Sequence, residues 1–392
     1  MSIINEAEKY KDEMISVRRQ IHSYAEVGFE LDKTVKLVKD TLCKIGLEPK
    51  RVGRGGVVAE LGEGERCIML RADMDALPLK EESGVEFAAK NGNMHSCGHD
   101  MHTAMLLGAA EILSNNADKI QGRILFCFQA AEETLSGALD MIEAGVLRDY
   151  SPDMALMIHT LTGVPLDEGT VVISSSGVGA PSADFFKIAI IGKGAHGATP
   201  HLARDALLGA TEIYRALYNI IPRNVSADEG AVLSIGSLIA GEAGNVISDK
   251  ATISGTLRCY RESVRLKIKE HINEYSAGIA DMYGMECKVD FYSGCPTLVN
   301  DKDMSARAYA SVNKLIGKKC VSSDELGTRA GGSEDFAYFS HKLPSLMIGV
   351  VAGSSKNGFE YTAHNPRAVY NEDSLSLGAA VYAACAIDLL KQ

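Results

Sequence analysis

Several stretches of the chain place apolar residues on one face of a helix. In residues 2–47 charged and apolar positions alternate with a helical period, as at Val17 and Ile21, and this predicts two amphipathic helices. Residues 103–113 and 137–144 show the same spacing and predict two further helices. These helices lie before and between segments that are more strongly apolar.

Three short apolar runs, at residues 68–70, 123–130 and 154–158, are typical of buried strands. The runs lead into side chains that can bind metal or transfer protons: Asp73 and Asp75, Glu132 and Glu133, and His159. Strands that alternate with helices predict a largely parallel sheet, and sites in such sheets lie beyond the carboxyl ends of the strands. The sequence therefore predicts an α/β domain with these side chains at one edge of its sheet.

Small, turn-forming residues at 177–182 and 293–297 divide the chain, whose length favours two domains. The segment between them has its own predicted elements, at residues 185–191, 205–218, 232–237, 251–257 and 263–282. After it come a helix, a strand and a closing helix, at residues 304–316, 345–351 and 374–390. We therefore predict a discontinuous first domain, residues 1–180 and 296–392, with a mostly parallel central sheet flanked by helices. A smaller domain of α/β or α+β sandwich type, residues 181–295, is inserted into it.

The composition excludes some partners. The 392 residues include 40 basic and 51 acidic side chains, a formal net charge of -11, without a run of basic residues. Nucleic acid and anionic membranes require a positive face, so neither is expected as a partner. Residues 1–20 carry charges throughout, and no apolar run is long enough to cross a bilayer. The odd number of cysteines, 9, is typical of a reducing compartment, and we predict a cytoplasmic protein.

Residues 96–102 place four potential metal ligands close together: Cys97, His99, Asp100 and His102. A tight loop at Gly98 would turn Cys97 and His99 inward, where a thiolate and an imidazole can bind zinc or a related ion. The alternative is a buried cysteine beside a helix-capping aspartate and surface histidines. His102 could support the site or be an ordinary helix residue, and it stays outside the predicted ligand set, as does His201.

The adjacent carboxylates Glu132 and Glu133 allow one group to bind metal while the other accepts a proton from metal-bound water. A metal lowers the pKa of that water to about 7, and a positioned base adds about 10²- to 10⁴-fold in rate. A glutamate pair alone more often begins a solvated helix, and His159 and His364 taken singly are more often structural. Their common position at strand ends and adjoining loops favours a metal-dependent hydrolase.

Seven stretches, in one order through nearly the whole chain, resemble the dinuclear metallopeptidase family of aminoacylases and glutamate carboxypeptidases. They are residues 18–22 (RRQIH), 71–78 (RADMDALP), 95–102 (HSCGHDMH), 129–134 (QAAEET), 194–201 (GAHGATPH), 255–258 (GTLR) and 332–336 (GSEDF). The similarity is to the amidohydrolase branch, which includes auxin-amino acid conjugate hydrolases, hippurate hydrolases and N-acyl-amino acid deacylases. Cys97, where related peptidases have a carboxylate, is typical of this branch.

The resemblance implies a site for two divalent metal ions, zinc, manganese, cobalt or nickel. The implied ligands are Cys97, His99, Glu133, His159 and His364. Glu132 is implied as the general base, which later returns the proton to the leaving amine. Asp75 is implied as a group that fixes the orientation of the ligands, and Asp73 is a further candidate for that role.

For the inserted domain the resemblance implies contacts with the substrate and a role as lid and dimerisation domain. His196 would stabilise the oxyanion, often from the neighbouring subunit of a homodimer. Asn245 and Arg258 would contact the substrate carbonyl or carboxylate, and an arginine suits a carboxylate. Without the resemblance, Asn245 is equally well interpreted as a turn residue and Arg258 as a surface residue.

The predicted reaction is hydrolysis of the amide bond of an N-acyl amino acid, which releases a carboxylic acid and the amino acid. Three alternatives stay open: a dipeptidase or aminoacylase of the wider family, a thiol hydrolase with Cys97 as nucleophile and His99 as base, and a metal-binding protein without catalysis. The family often has proline where this chain has Ala25, Ala130 and Ser248. Loop shape near the substrate therefore differs, and the sequence indicates neither the acyl group nor the amino acid.

Overall fold

The computed structural model describes residues 2–327 and 332–391, which form two compact units. Within these residues the first unit comprises 2–179, 299–327 and 335–391, and the second comprises 180–298 and 332–334. The chain thus leaves the first unit and returns to it close to the positions at which the sequence predicts an inserted domain. The catalytic and lid roles assigned to these parts stay predictions.

Strands and helices follow one another along most of the chain and are numbered in chain order. The strands are β1 Lys50–Val52, β2 Gly56–Glu63, β3 Cys67–Asp73, β4 Gly122–Gln129, β5 Met154–Leu161, β6 Val171–Ile173, β7 Gly177–Ala180, β8 Ser182–Ile191, β9 Ala195–His196, β10 Ala231–Ala240, β11 Val246–Ile247, β12 Lys250–Cys259, β13 Glu286–Cys295, β14 Leu298–Asn300, β15 Cys320–Ser322 and β16 Ser345–Val351. The α-helices are α1 Ile3–Ala7, α2 Lys11–Tyr24, α3 Asp32–Lys44, α4 His99–Ser114, α5 Gly137–Glu143, α6 Val146–Tyr150, α7 Ala206–Leu217, α8 Ile220–Asn224, α9 Glu262–Met282, α10 Lys302–Ile316, α11 Ser323–Leu326, α12 Ala337–Ser340 and α13 Ser374–Leu390. Short 3₁₀ turns occur at Glu8–Tyr10, Ala117–Lys119, Pro200–Leu202, Gly317–Lys319 and Ser355–Asn357.

A mixed sheet of 8 strands, in the order β1-β2-β4-β3-β5-β16-β6-β15, forms the centre of the first unit. Its central strands β4, β3, β5 and β16 run parallel. β2 is antiparallel to β4, and β6 is antiparallel to β16. Because the central strands are parallel, their carboxyl ends meet at one edge, and Asp73 lies opposite Gln129 in the register there.

Helices on the sheet bury the apolar faces that the sequence pattern predicts. α3 buries Val35, Val38 and Leu42 on one side, at the spacing of an amphipathic helix. α4 and α13 are buried along nearly their whole length and belong to the same apolar core. α4 begins at His99, four residues before the predicted start at residue 103, so the candidate ligand lies in its first turn.

The second unit has an antiparallel sheet in the order β10-β12-β8-β13. Side chains of β12 alternate between buried and partly exposed positions, as expected when one face of a sheet is covered. α7 and α9 contribute to the apolar core beneath that face, and the side chain of Asp205 caps α7 by accepting hydrogen bonds from the amides of Leu207 and Leu208. One face of this sheet is thus covered, and the alternation of buried and partly exposed residues along β12 shows which face it is.

The predicted fold class, a largely parallel α/β sheet flanked by helices with a smaller second domain, is confirmed. Residues 2–47 contain three α-helices where the pattern predicts two, because the amphipathic stretch breaks at the 3₁₀ turn Glu8–Tyr10. Among the described residues, no helix combines the length and the apolar character that crossing a membrane would require.

Candidate metal centre

The loop before α4 turns at Gly98, which has a left-handed φ of 87°. A Cβ atom at this position would lie 2.5 Å from Thr160 Oγ1 and 3.0 Å from the ring of Tyr370. The Tyr370 hydroxyl also donates a hydrogen bond to the carbonyl of Ser96, at 3.0 Å. Glycine is therefore required for the close approach that holds the loop and its neighbours Cys97 and His99 against β5.

Cys97, His99 and His159 form a first group of potential ligands, with ligand atoms all within 4.8 Å of one another. The Cys97 Sγ lies 3.5 Å from the His159 Nε2. The His159 Nδ1 donates to the carbonyl of Thr160, at 2.8 Å, so the Nε2 lone pair faces the thiol. Burial lowers the pKa of His159 to about 3, which keeps the imidazole neutral at pH 7 and able to bind a cation.

His99 provides the test of whether a cation suits this place. Its Nδ1 donates to the backbone carbonyl of Asp75, at 2.8 Å, which leaves the Nε2 facing inward. That Nε2 is buried without a hydrogen-bond partner among the described residues. Carboxylate oxygens of Asp73, Glu132 and Glu133 lie 3.7, 3.9 and 3.9 Å from it. Burial lowers the pKa of His99, but the Asp73 carboxylate and Cys97 outweigh it and raise the pKa well above its usual range. Positive charge is therefore favoured at this place, and these residues suit divalent cations.

Cys97, Glu133 and His364 form a second group, again with ligand atoms within 4.8 Å of one another. The His364 Nε2 lies 3.5 Å from the Glu133 Oε2. His364 has a φ of 67°, unusual for a residue other than glycine, and its amide donates to the carbonyl of Ser96 at 3.1 Å. The two groups share Cys97, so the structure brings together all five side chains predicted as ligands, whose role in binding metal stays a prediction.

Glu132 lies beside both groups and is buried, with 5% of its surface exposed. Its Oε1 accepts a hydrogen bond from the backbone amide of Asp335, at 3.3 Å. His99, Glu132 and Glu133 place their polar atoms within 4.8 Å of one another. The side chain predicted as the general base therefore faces the ligands while it is held by a backbone amide.

Asp75, predicted to orient ligands, forms hydrogen bonds with the residues that carry them, and its role stays a prediction. Its carboxylate accepts the amides of Glu132, at 2.9 Å, and Glu133, at 3.2 Å. Its carbonyl accepts the hydrogen bond from His99. Asp75 thus connects β3 to the ligand helix and to the turn of the two glutamates.

Asp73 is joined to His102 and Arg71, which lie outside the ligand groups. Its carboxylate accepts hydrogen bonds from the His102 Nδ1, at 2.6 Å, and the Arg71 Nη1, at 2.7 Å. Burial raises the pKa of Asp73, but the neighbouring His99, His102 and the Arg71 guanidinium outweigh it and hold the pKa well below its usual range. Asp73 is therefore ionised, and it connects Arg71 and His102 next to the candidate ligand His99.

His102, ambiguous in the sequence, has both ring nitrogens occupied. While its Nδ1 donates to Asp73, its Nε2 accepts the backbone amide of Thr160 at 2.8 Å. It therefore ties α4 to β5 and has no lone pair for a metal. Sequence reasoning also missed the roles of Arg71, Gln129 and Asp335, although two of them lie in the matching stretches 71–78 and 129–134 and the third in 332–336.

The three residues predicted to bind substrate lie in the second unit. His196 is in β9 and pairs with Val246, and the amide of Gly197 donates to the carbonyl of Asn245 at 2.7 Å. His196 and Asn245 therefore lie together at the two-stranded antiparallel sheet of β9 and β11, which lies beyond the Lys250 end of β12.

Arg258 lies near the other end of β12, where it donates to Ser333 Oγ at 2.8 Å and lies over the ring of Phe185. At about 3.3 Å per residue, roughly 26 Å of strand separates Lys250 from Arg258. Within the second unit the structure thus brings His196 and Asn245 together and holds Arg258 apart from them.

Comparisons with known proteins agree with this geometry. The family described as Peptidase family M20/M25/M40 matches residues 69–388. A thermostable carboxypeptidase 1 of Saccharolobus solfataricus is 35% identical over 395 residues, which cover 98% of this chain and 97% of the relative. A hippurate hydrolase of Campylobacter jejuni is 34% identical over 395 residues, which cover 100% of each chain. The crystal structure of the Bacillus subtilis YxeP protein, a dinuclear metal-binding peptidase, superposes with a TM-score of 0.80 at 29% identity, covering 98% of this chain and 99% of that one.

Proposed function

Because this chain belongs to peptidase family M20/M25/M40, we propose that it hydrolyses the amide bond of N-acyl amino acids, with Glu132 as general base. The family and the amidohydrolase class predicted from the sequence are confirmed by the matches. The observation that carries the proposal is the pair of ligand groups sharing Cys97, with Glu132 beside them. Cys97, His99 and His159 would hold one divalent ion, and Cys97, Glu133 and His364 the other.

The chain's own residues supply the proton transfers. When bound, two ions such as zinc, manganese, cobalt or nickel lower the pKa of a water and polarise the scissile carbonyl. Glu132 takes the proton of the attacking water and then gives it to the nitrogen of the leaving amino acid. Asp75 keeps the backbone of Glu132 in place, and the amide of Asp335 orients its carboxylate.

The thiol-hydrolase alternative is disfavoured by the surroundings of Cys97. Burial raises the pKa of this thiol to about 12, so without a cation almost none of it is ionised at pH 7. A free thiolate nucleophile is therefore scarce, whereas a bound cation stabilises the same thiolate as a ligand. The buried carboxylate of Glu132 beside the ligand groups speaks for catalysis and against metal binding alone.

The substrate class is supported by the hippurate hydrolase, since hippurate is an N-acylated glycine. Hydrolysis of peptides is the second candidate, favoured by the carboxypeptidase with 35% identity. Both substrates leave an amino acid with a free carboxylate, and Arg258 is the residue that we propose for binding it. The acyl group and the amino acid are the part of the function that a substrate panel must determine.

The proposal is tested by assaying the metal-loaded protein with a panel of N-acetyl and N-benzoyl amino acids and a matched panel of dipeptides. We expect higher kcat/KM for the N-acyl amino acids, loss of activity on chelation, and recovery on addition of metal. Glu132→Gln should lower kcat by about 10²- to 10⁴-fold while metal stays bound. Higher kcat/KM for the dipeptides would favour the peptidase, and wild-type turnover by Glu132→Gln would refute the mechanism.

A homodimer through the second unit is part of the proposal. Large apolar side chains are exposed on α7, at the residue that follows it and on the edge strand β10: Leu207, Leu208, Tyr214, Tyr218, Val232 and Ile239. A small substrate cannot touch both ends of β12, so His196 and Arg258 of one chain would serve different substrates. His196 of the partner subunit would therefore complete each site.

Mixing two inactive variants tests this arrangement. In a dimer of one His196→Ala and one Glu132→Gln subunit, one of the two sites is complete. Random mixing makes about half of the dimers mixed, so it should restore up to about a quarter of wild-type activity. Light scattering during gel filtration gives the oligomeric state. A monomer, or no recovery on mixing subunits that do exchange, would contradict the shared site. Location in the cytoplasm stays a prediction from the sequence.

A further inference from the structure

The turn that carries Glu132 and Glu133 has a strained backbone. Ala131 and Leu135 have φ values of 57° and 54°, in the left-handed region that residues with a Cβ atom rarely adopt. Such conformations persist only where the surrounding structure holds them, and they are concentrated at functional sites. The contacts that hold this turn therefore determine where the carboxylate of Glu132 lies.

Asp335, like Asp75, forms hydrogen bonds with the residues of this turn. Its Oδ2 accepts the amide of Ala138, at 2.9 Å, in the first turn of α5, which directly follows the strained segment. Its own amide donates to the Glu132 Oε1 at 3.3 Å. One residue thus contacts both the backbone after the turn and the side chain that the turn presents.

Asp335 is in turn fixed by a fully buried network at the ends of β3 and β4. Its Oδ1 accepts the Arg71 Nη2 at 2.8 Å and the Gln129 Nε2 at 2.7 Å, and the Arg71 Nε donates to the Gln129 Oε1 at 3.0 Å. All three side chains are 0% exposed. The rigid fork of a guanidinium between two acceptors leaves little freedom for rotation, and a buried charge is costly to leave unpaired.

The same arginine extends the network to the ligands. The Arg71 Nη1 donates to Asp73, whose other oxygen binds His102. Asp73 also lies 3.7 Å from the Nε2 of His99. The network therefore contacts the base on one side and the surroundings of the ligand helix on the other, while none of its three central side chains belongs to the ligand set.

We propose that Asp335, held by Arg71 and Gln129, is the positioning residue for the general base: its carboxylate fixes the strained turn and its amide points the Glu132 carboxylate at the attacking water. This inference rests on the proposed function of Glu132. Asp335 is outside both ligand groups, and the backbone of the ligand Glu133 on the same turn is held separately by Asp75. Loss of Asp335 therefore slows the chemical step and leaves metal and substrate binding largely intact.

The test is the variant Asp335→Asn, purified with metal and assayed with the best N-acyl amino acid or peptide of the wild-type panel. Asparagine keeps the shape, but its NH₂ group must face one of the donors, so Ala138 or the Arg71 and Gln129 pair loses an acceptor. A misplacement of the base by about 1 Å should lower kcat by about 10²-fold, with KM within about threefold of wild type. Metal content by mass spectrometry should be unchanged. A crystal structure of the metal-loaded variant should show Glu132 displaced and the ligands Cys97 and His159 in place.

Asp184→Asn is the matched control. Asp184 is equally buried and binds an arginine, Arg265, at 2.7 and 2.8 Å, but it belongs to the second unit and has no role in the proposed mechanism. Its loss should lower the unfolding temperature and leave kcat within about threefold of wild type. If Asp335→Asn does not fold, Gln129→Met is the second variant. It removes the hydrogen bonds that Gln129 Nε2 donates to Asp335 Oδ1, at 2.7 Å, and Oδ2, at 2.9 Å, without changing charge. It should lower kcat by about tenfold at constant metal content.

The inference is overturned if either variant at the network keeps wild-type kcat, if its loss of activity is explained by loss of metal, or if Glu132 is not displaced in Asp335→Asn. An active wild type with an inactive Glu132→Gln and a normal Asp335→Asn would remove this inference alone. An active Glu132→Gln, or a wild type that cleaves neither panel, would instead remove the proposed function.

Discussion

The two units place their polar groups in opposite ways. In the first unit the charged groups at the sheet edge are buried and already hydrogen-bonded, with Arg71, Asp73 and His102 each 0% exposed. In the second unit His196 and Asn245, at the two-stranded sheet of β9 and β11, are exposed to solvent. The first arrangement is preorganised by the chain itself, whereas the second leaves its side chains in solvent. The difference matches the proposed division of roles, with the residues proposed for chemistry in the first unit and those proposed for substrate recognition in the second.

The sheets explain this contrast. Parallel strands covered by helices bring several strand ends together at one buried edge, where polar groups are costly unless they are paired. An antiparallel sheet with one covered face leaves its hairpins and its other face in solvent, so side chains there need no fixed partner. The candidate metal centre therefore lies at the buried sheet edge, where polar side chains must be paired and so are held in fixed positions.

Cys97→Ala should have the largest effect, and it tests whether the two proposed metal ions in the first unit share Cys97 as a ligand. Cys97 is in both ligand groups, so its removal should deplete both ions and lower kcat/KM by about 10³-fold or more. His364→Ala, which affects one group, is the matched control and should deplete one ion. Metal analysis of the purified variants measures this, and equal metal content in both variants would argue against a shared ligand.

Arg258→Ala should have an intermediate effect and tests recognition by the second unit. Loss of a charge-assisted hydrogen bond to the substrate carboxylate should raise KM by about 10- to 100-fold, with kcat and metal content unchanged. Steady-state kinetics with an N-acyl amino acid and with its carboxamide separates the causes. For the carboxamide, wild type and variant should have similar KM, and a similar loss with both substrates would assign Arg258 a structural role.

Two helix caps should have the smallest effect and compare the units directly. Asp205 caps α7 in the second unit, and Asp301 caps α10 in the first by accepting the amides of Asp303 and Met304. Replacement of each by alanine should cost about 1 kcal/mol of stability, measured by urea unfolding. Metal content should not change in either variant. A loss of metal in Asp301→Ala alone would mean that the centre depends on remote parts of its unit.

Much of the fold could be predicted because periodicity reports burial directly. The strands that end in Asp73 and Gln129, and β5, which contains His159, follow from short apolar runs, and α13 follows from a long apolar-periodic stretch. The mixed order of the large sheet could not be read in this way, since β6 and β15 have three residues each and carry almost no pattern. Pairing between distant short strands depends on the assembled core.

The candidate ligands could be located because strand ends and loops concentrate them, and the resemblance selected among them. The supporting network could not. Arg71 and Asp335 are 264 positions apart, and an arginine in an apolar strand suggests no partner in the sequence. His102 could be interpreted only when both ring nitrogens had known partners. Candidate ligands can be recognised in a sequence by residue type, whereas positioning residues can be recognised only from their contacts in the folded structure.

The exposure of His364 has a consequence for how the centre is filled. Its side chain is 57% exposed on a strained backbone, whereas His99 is buried. The group that contains His364 therefore has a ligand open to solvent, through which an ion can enter and leave. We expect unequal exchange: dialysis against a weak chelator should remove one ion within a short time and retain the other. A fraction of the protein molecules would then hold one ion instead of two, and the activity would depend on the concentration of free metal.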